Sequence, residues 1–384
     1  MLTEKTRRFM LIWAVGGLFM FLMTACGKKS EETPPPAQEK VQPAAPQTPP
    51  PSGPNAQHLL GQAKSFFGGP LPETAENPKN PTSEAKVALG RMLFYEKRLS
   101  KNHDISCNSC HSLASYGIDV REPEDKRQVS KGHKGQLGGR NSPTVYNAAL
   151  FFRQFWDGRA ADVEEQAKGP VLNPVEMAAP DEAHVIKVLK SIPGYVEAFK
   201  AAFPDDKDPI TFDNMANAIA VFERGLLTPS RFDEFLAGDT KVLSEQELRG
   251  LQLFFSNGCQ ACHLSRTIGG SLFQRLGFVK PYETKDTGRF QQTQAPADMH
   301  VFKVPSLRNI AKTAPYLHDG SIPTLEKMVA IMAEYQTTAE KPQPAEIDDI
   351  VAFLNSLTGK IPEEYIAEPE LPPSGPKTPA PDPS

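Results

Sequence analysis

Two short stretches hold the residues best suited to chemistry: "SCNSCHS", with Cys107, Cys110 and His111, and "GCQACHL", with Cys259, Cys262 and His263. In each, two thiols stand three positions apart and an imidazole follows at once. That spacing lets both thiols add to the vinyl groups of one haem while the adjacent histidine ligates its iron. A disulfide would not require the histidine in both copies. A four-cysteine zinc site keeps its pairs roughly 15–20 residues apart, and these pairs are far more widely separated. A thioredoxin-like pair would need a βαβ setting, which neither stretch has. The sequence therefore predicts two covalently bound c-type haems with His111 and His263 as proximal ligands.

The sixth ligand decides what each iron does, since a methionine raises the potential and a labile ligand permits chemistry at the metal. In the second half, "TLEKMVAIMAEY" offers Met328 and Met332, and spacing alone does not choose between them. The first half has no methionine on the corresponding helix, and its nearest candidate is His133 in "SKGHKGQLGGR". Glycine loses more backbone freedom on folding than any other residue, so a loop rich in it is read as one that moves or bends sharply.

The elements that must position these groups occur twice. "SEAKVALGRMLF" and "SEQELRGLQLF" each precede a haem box and share G-x-x-L-F at Gly90–Phe94 and Gly250–Phe254. After the boxes, Pro143, Asn147, Asp157-Gly158 and Glu164 recur in register as Pro305, Asn309, Asp319-Gly320 and Glu326. Apolar residues at three-to-four spacing, as in "EAHVIKVLK" and "NMANAIAVFERGLL", argue for helices, and no strong alternating strand run is present. The expected fold is all-α: two c-type cytochrome domains related by internal duplication, residues 59–228 and 229–360.

The chain ends read differently. Of 384 residues, 37 are proline, concentrated in a linker at 26–58, expected to be disordered, and a tail at 361–384, expected to be disordered or to lie extended against a domain. Lys5, Arg7 and Arg8, then an apolar run and Thr24-Ala25 before Cys26, form an export signal at 1–25 resembling the lipoprotein type. A plain signal peptide or an uncleaved membrane anchor is the alternative. Export would place the protein in the periplasm, anchored to a membrane by lipid on Cys26. A net charge of −4 gives no reason to expect nucleic acid as a partner.

From about residue 60 to 360 the chain resembles the bacterial di-haem cytochrome c peroxidases. The resemblance lies in "LGRMLFYEKRLSKNHDISCNSCHSL", "GHKGQ", "RNSPTVYNAALFFRQFWDGRAADVEEQAKGPVLNPVEM" and "VFKVPSLRNIAKTAPYLHDGSIPTLEKMV". It implies reduction of hydrogen peroxide to water, with electrons from a small cytochrome c or a blue-copper protein. Met332 would ligate the high-potential haem at Cys259/Cys262/His263, where electrons enter. The haem at Cys107/Cys110/His111 would be peroxidatic, closed at rest by His133. Trp156 would conduct electrons between the haems, and Glu176 would serve as the distal acid–base group. Asn141, with the carbonyls of Thr313 and Pro315, would bind calcium. Members commonly form homodimers. Two rivals compete: a di-haem cytochrome that only transfers electrons, and a di-haem oxygenase maturing a protein-derived quinone, in which a tyrosine replaces the methionine. Tyr335 is the residue to check for the second.

Overall fold

The computed structural model describes residues 53–121 and 129–384. The export signal, Cys26 and almost all of the N-terminal linker lie outside them. The helices in chain order are α1 (Ala56–Phe67), α2 (Glu84–Tyr95), α3 (Cys107–Cys110), α4 (Val163–Leu172), α5 (Glu182–Lys190), α6 (Pro193–Ala202), α7 (Phe212–Arg224), α8 (Arg231–Ala237), α9 (Glu245–Ser256), α10 (Phe290–Thr293), α11 (Leu325–Gln336), α12 (Pro344–Ser356) and α13 (Glu363–Ile366). Four short strands pair as two antiparallel ribbons, β1 (Val129–Lys131) with β2 (Leu137–Asn141) and β3 (Phe273–Arg275) with β4 (Val301–Lys303). The chain is mostly helical, as expected.

Polar side chains start the helices by satisfying amides that have no partner within the helix. Ser83 accepts from the Lys86 N–H at the head of α2. Ser244 and Glu247 form a reciprocal capping box at the head of α9.

Two apolar cores follow, one built on α2 and α4–α7 and the other on α8, α9, α11 and α12. The G-x-x-L-F repeat has the same role in each. α2 crosses α7 at Gly90, where a Cβ would stand 2.0 Å from the Ala218 carbonyl oxygen. α9 crosses α12 at Gly250, where a Cβ would stand 1.9 Å from the Asp349 carbonyl oxygen. Phe94 then meets Phe222 edge-on at 5.5 Å, and Phe254 meets Phe353 at 5.4 Å. The two asparagines of the second repeat converge. Asn147 and Asn309, both left-handed, donate their side-chain amides to one acceptor, Thr228 Oγ1, at 2.9 and 2.8 Å.

The structure corrects the expected boundaries at both ends. Helix α1 lies in the stretch assigned to the first domain, yet it buries Leu59, Leu60, Ala63 and Phe67 in the second core. Phe67 packs against Phe232 and Phe255 there, each at 5.8 Å. The C-terminal tail is ordered rather than disordered, and it lies along the first domain. Tyr365 stacks on Phe222 at 5.2 Å, and Tyr95 and Arg98 donate to the carbonyls of Ile366 and Pro372. Gly194 leaves the space that Pro372 fills, and Lys101 pairs with Asp382 at 3.5 Å. Proline removes amide donors but keeps carbonyl acceptors, so a proline-rich strap can bind through donors on the surface it crosses.

Candidate active site

In the first half, α3 turns Cys107 and Cys110 to one side, with Ser106 and Ser109 capping each other's backbone. The His111 ring follows, its Nδ1 3.3 Å from the Gly117 carbonyl. With the proton on Nδ1 donated there, Nε2 is free for a metal. Burial lowers the pKa of His111, which favours the neutral imidazole that a metal needs.

His133 sits at the tip of the β1–β2 hairpin. It is buried, and its Nε2 has no hydrogen-bond partner. An orphaned ring nitrogen in a buried place is what an absent metal bond would leave behind. Its backbone N–H donates to the Glu176 carbonyl at 2.8 Å, and Gln136 Nε2 donates to the Pro174 carbonyl at 3.2 Å. Gly132 permits this seat, because a Cβ would come within 1.9 Å of the Val175 carbonyl oxygen. Gly135 takes a left-handed φ of 71°. These two glycines serve close approach and turning, the latter being the sharp bend that the glycine content of the loop allowed. Part of the expected mobile segment, 122–128, lies outside the described residues.

Glu176 is half-buried, and its Oε1 accepts from Asn173 Nδ2 at 2.7 Å. Burial raises its pKa above the ordinary carboxylate value, with Arg159 and Asn173 acting against the shift. Its charge is felt by the thiols of both Cys107 and Cys110, so the first haem box, His133 and Glu176 form one neighbourhood.

In the second half the four-residue spacing of α11 aims Met328 and Met332 into one cavity of about 230 Å³. Cys259, Cys262, His263, Trp156, Leu276, Phe302, Tyr316 and Leu354 share its wall. His263 is half-buried, and desolvation lowers its pKa to about 4. Its Nδ1 has no hydrogen bond of regular geometry, although the Ile268 and Pro305 carbonyls are near enough to act on it. An apolar cleft with two thiols, a neutral imidazole and a thioether suits a c-type haem. The wall does not by itself choose between the methionines. Tyr335 is not in it, and packs edge-on against Tyr282 at 5.1 Å.

Trp156 joins the halves. Its Nε1 donates to the Asn141 carbonyl at 2.9 Å, at the foot of the His133 hairpin. Its own carbonyl accepts from Lys303 N–H at 2.8 Å, and its ring meets His318 edge-on at 6.4 Å. Asn141, Thr313 and Pro315 line the same cavity, and Asn141 Nδ2 donates to the Pro315 carbonyl at 2.8 Å. Among the described residues no group of three or more His, Cys, Asp or Glu could hold a metal, so a calcium here would rest on carbonyl and amide oxygens. Asp157 is buried and accepts from Arg140 and Arg159, while Gly158 turns with a φ of 67°. That pair shapes the chain.

Three buried groups were missed at the sequence level. Glu223 on α7 has its pKa raised to about 8 by burial and lies close enough to act on Cys107. Lys303 on β4 has its pKa lowered to about 8 by burial. His318 is buried against Phe302 at 4.5 Å. Helical period gave the only available signal, placing Glu223 on the buried face of α7.

The model of the di-haem cytochrome c peroxidase family matches residues 84–241, and the cytochrome c model matches residues 248–358. A cytochrome c551 peroxidase of Pseudomonas aeruginosa is 44% identical over 334 residues, covering 85% of this chain and 93% of its own. The chain belongs to the di-haem cytochrome c peroxidase family. A cytochrome c551 peroxidase of Nitrosomonas europaea is 47% identical, over 78% of this chain and 87% of its own. Among solved structures, a MauG-like protein associated with microbial copper homeostasis superposes with a TM-score of 0.69 at 32% identity, covering 78% of this chain and 97% of its own. Membership makes this chain a peroxidase-type oxidoreductase carrying two c-type haems.

Proposed function

We propose that this enzyme reduces hydrogen peroxide to two waters, consuming two protons and two electrons from a small periplasmic cytochrome c or a blue-copper donor. The observation that carries the reading is the His133 hairpin. A buried histidine with an unpartnered Nε2 is clipped by its backbone to Glu176, the residue proposed to manage protons. The haems supply exchangeable iron coordination and one-electron chemistry. His133 holds the first site closed at rest, and release of its hairpin opens it. Glu176 takes a proton from one peroxide oxygen and returns it to the leaving one, a task that a carboxyl of raised pKa suits near neutral pH. Met332, one turn beyond Met328, is assigned as the axial ligand of the electron-accepting haem, and Trp156 as the conduit between the halves.

The related assignments are proposals of the same kind. The two halves descend from one duplicated mono-haem unit, as the matching crossings at Gly90 and Gly250 suggest. Asn141, Thr313 and Pro315 bind a structural calcium, the enzyme is a homodimer, and lipid on Cys26 anchors it in the periplasm. An oxygenase reading is disfavoured because Tyr335 faces Tyr282 rather than the cavity.

The test combines spectra of oxidised and half-reduced protein with peroxide-dependent oxidation of reduced cytochrome c. Two haems and turnover are expected, with Glu176→Gln lowering turnover at least about 100-fold. A single haem, or wild-type turnover in Glu176→Gln, would refute the mechanism.

A further inference from the structure

Lys303 ends β4 with its side chain buried and its ammonium 4.4 Å from the centre of the Phe151 ring. No hydrogen bond or ion pair of this ammonium is found among the described residues. A ring face only partly offsets the loss of water around an ammonium, and buried charges are normally paired. The surroundings offer no pairing. Among the described residues the wall of the second cavity carries no Asp or Glu and, apart from Lys303, no Lys or Arg. The cavity thus presents one cation to an occupant that must bring its own anion. Cys259 and Cys262 stand in the same wall, and a haem attached to them carries two carboxylates.

We propose that the Lys303 ammonium is the counter-ion of a propionate of the haem attached at Cys259 and Cys262, and holds that propionate beside Trp156. The proposal rests on the reading of that cavity as a haem site. The position beside Trp156 follows from the backbone, since the Lys303 N–H donates to the Trp156 carbonyl at 2.8 Å. The strand that delivers the cation is thereby clipped to the backbone of Trp156, the residue that joins the two halves. A positive charge at the haem edge favours the reduced iron, so Lys303 also sets this haem as the one that fills first.

The experiment is a redox titration of each haem in the holoenzyme, for wild type, Lys303→Gln and Lys303→Arg. Haem is counted first by pyridine haemochrome. Fewer than two haems in wild type would reject the haem reading itself, independently of Lys303. With two haems, Lys303→Gln is expected to weaken the reduction equilibrium of the Met-ligated haem about tenfold, a fall of about 59 mV for one electron. The other haem should not move, and Lys303→Arg should stay within about twofold of wild type. Unchanged potentials in Lys303→Gln would overturn the proposal. Should Lys303→Gln fail to retain the second haem, Lys303→Arg decides. Retention with a near-native potential is the expected result, and loss of the haem there too would show that packing rather than charge is required, overturning the proposal.

Discussion

Substituting Gly132 by alanine tests whether the His133 hairpin is the closure of the first haem site. Gly132 has a negative φ of −109°, so the penalty of the left-handed region does not arise. The added methyl would stand 1.9 Å from the Val175 carbonyl oxygen, 2.7 Å from the Glu176 Cα and 2.8 Å from the Glu176 carbonyl oxygen. All three are backbone atoms, which cannot rotate away as a side-chain end could. Relief requires the hairpin to lift by about 1 Å, which stretches the 2.8 Å bond from His133 N–H to the Glu176 carbonyl beyond useful length. Overpacking of this kind costs about 1–3 kcal/mol and the lost hydrogen bond about 1 kcal/mol. Together they lower the ratio of seated to released hairpin by roughly 30- to 700-fold, at tenfold per 1.4 kcal/mol. Oxidised Gly132→Ala should show high-spin iron at the first haem by optical and paramagnetic-resonance spectra, and should turn over peroxide without prior reduction. Gly138→Ala is the control. Its nearest neighbour is the Ser130 carbonyl oxygen at 3.6 Å, an ordinary contact, so it should match wild type. A Gly132→Ala enzyme with the wild-type oxidised spectrum and an undiminished need for reduction would refute the closure argument.

Two further outcomes are expected. Deleting residues 368–384 removes the Arg98 bond to Pro372, the Ser191–Thr378 bond and the Lys101–Asp382 pair, and uncovers Gly194. A loss of about 2–4 kcal/mol should lower the calorimetric Tm of the holoenzyme by several degrees, and an unchanged Tm would show the strap to be dispensable. Glu223 has its pKa raised from an ordinary 4.5 to about 8, so the folded state holds this proton more tightly than the unfolded state. Its contribution to stability is full below pH 4.5 and is lost as pH rises through about 8, on the order of a few kcal/mol in all. Urea unfolding of wild type and Glu223→Gln between pH 5 and 9 should show the gap shifting in favour of the variant as pH rises; a gap that stays constant would disprove the assignment.

What the sequence revealed depended on how local the relevant physics was. The haem boxes need two thiols and an imidazole within five residues, so their chemistry shows in the string itself. Helix starts are similarly local, since Ser83 and Ser244 act on amides three residues away. The repeated glycines of G-x-x-L-F were visible as a pattern, but their cause was not, because the Ala218 and Asp349 carbonyls that require them belong to other helices. The glycines around His133 were read as granting movement or a sharp bend, and only the neighbouring backbone shows that Gly132 serves close approach. A glycine that yields to a neighbouring backbone and one that grants freedom look alike until the neighbour is known. Lys303 in "VFKVPS" carries no sequence mark of burial and Glu223 in "VFERG" only its helical period, and charged residues are mostly exposed.

The chain ends show most clearly why linear boundaries misled. α1 begins the described chain, yet Leu59, Leu60, Ala63 and Phe67 complete the second core. The tail closes the chain, yet Tyr365 and Ile366 complete the first. A cut at 228/229 would therefore leave each half short of an element held by the other, and would expose Phe232 and Phe255 on one side and Phe222 on the other. Thr228, at that very point, accepts the amides of Asn147 from the first half and Asn309 from the second. The exchanged ends and the shared hydroxyl all act against relative movement of the halves. Under the proposed mechanism, opening of the first site falls to the tip of the His133 hairpin, which meets the 174–176 turn through His133 N–H and Gln136 Nε2, while the base of the hairpin stays fixed by the Arg140 ion pairs and the Trp156 bond to Asn141.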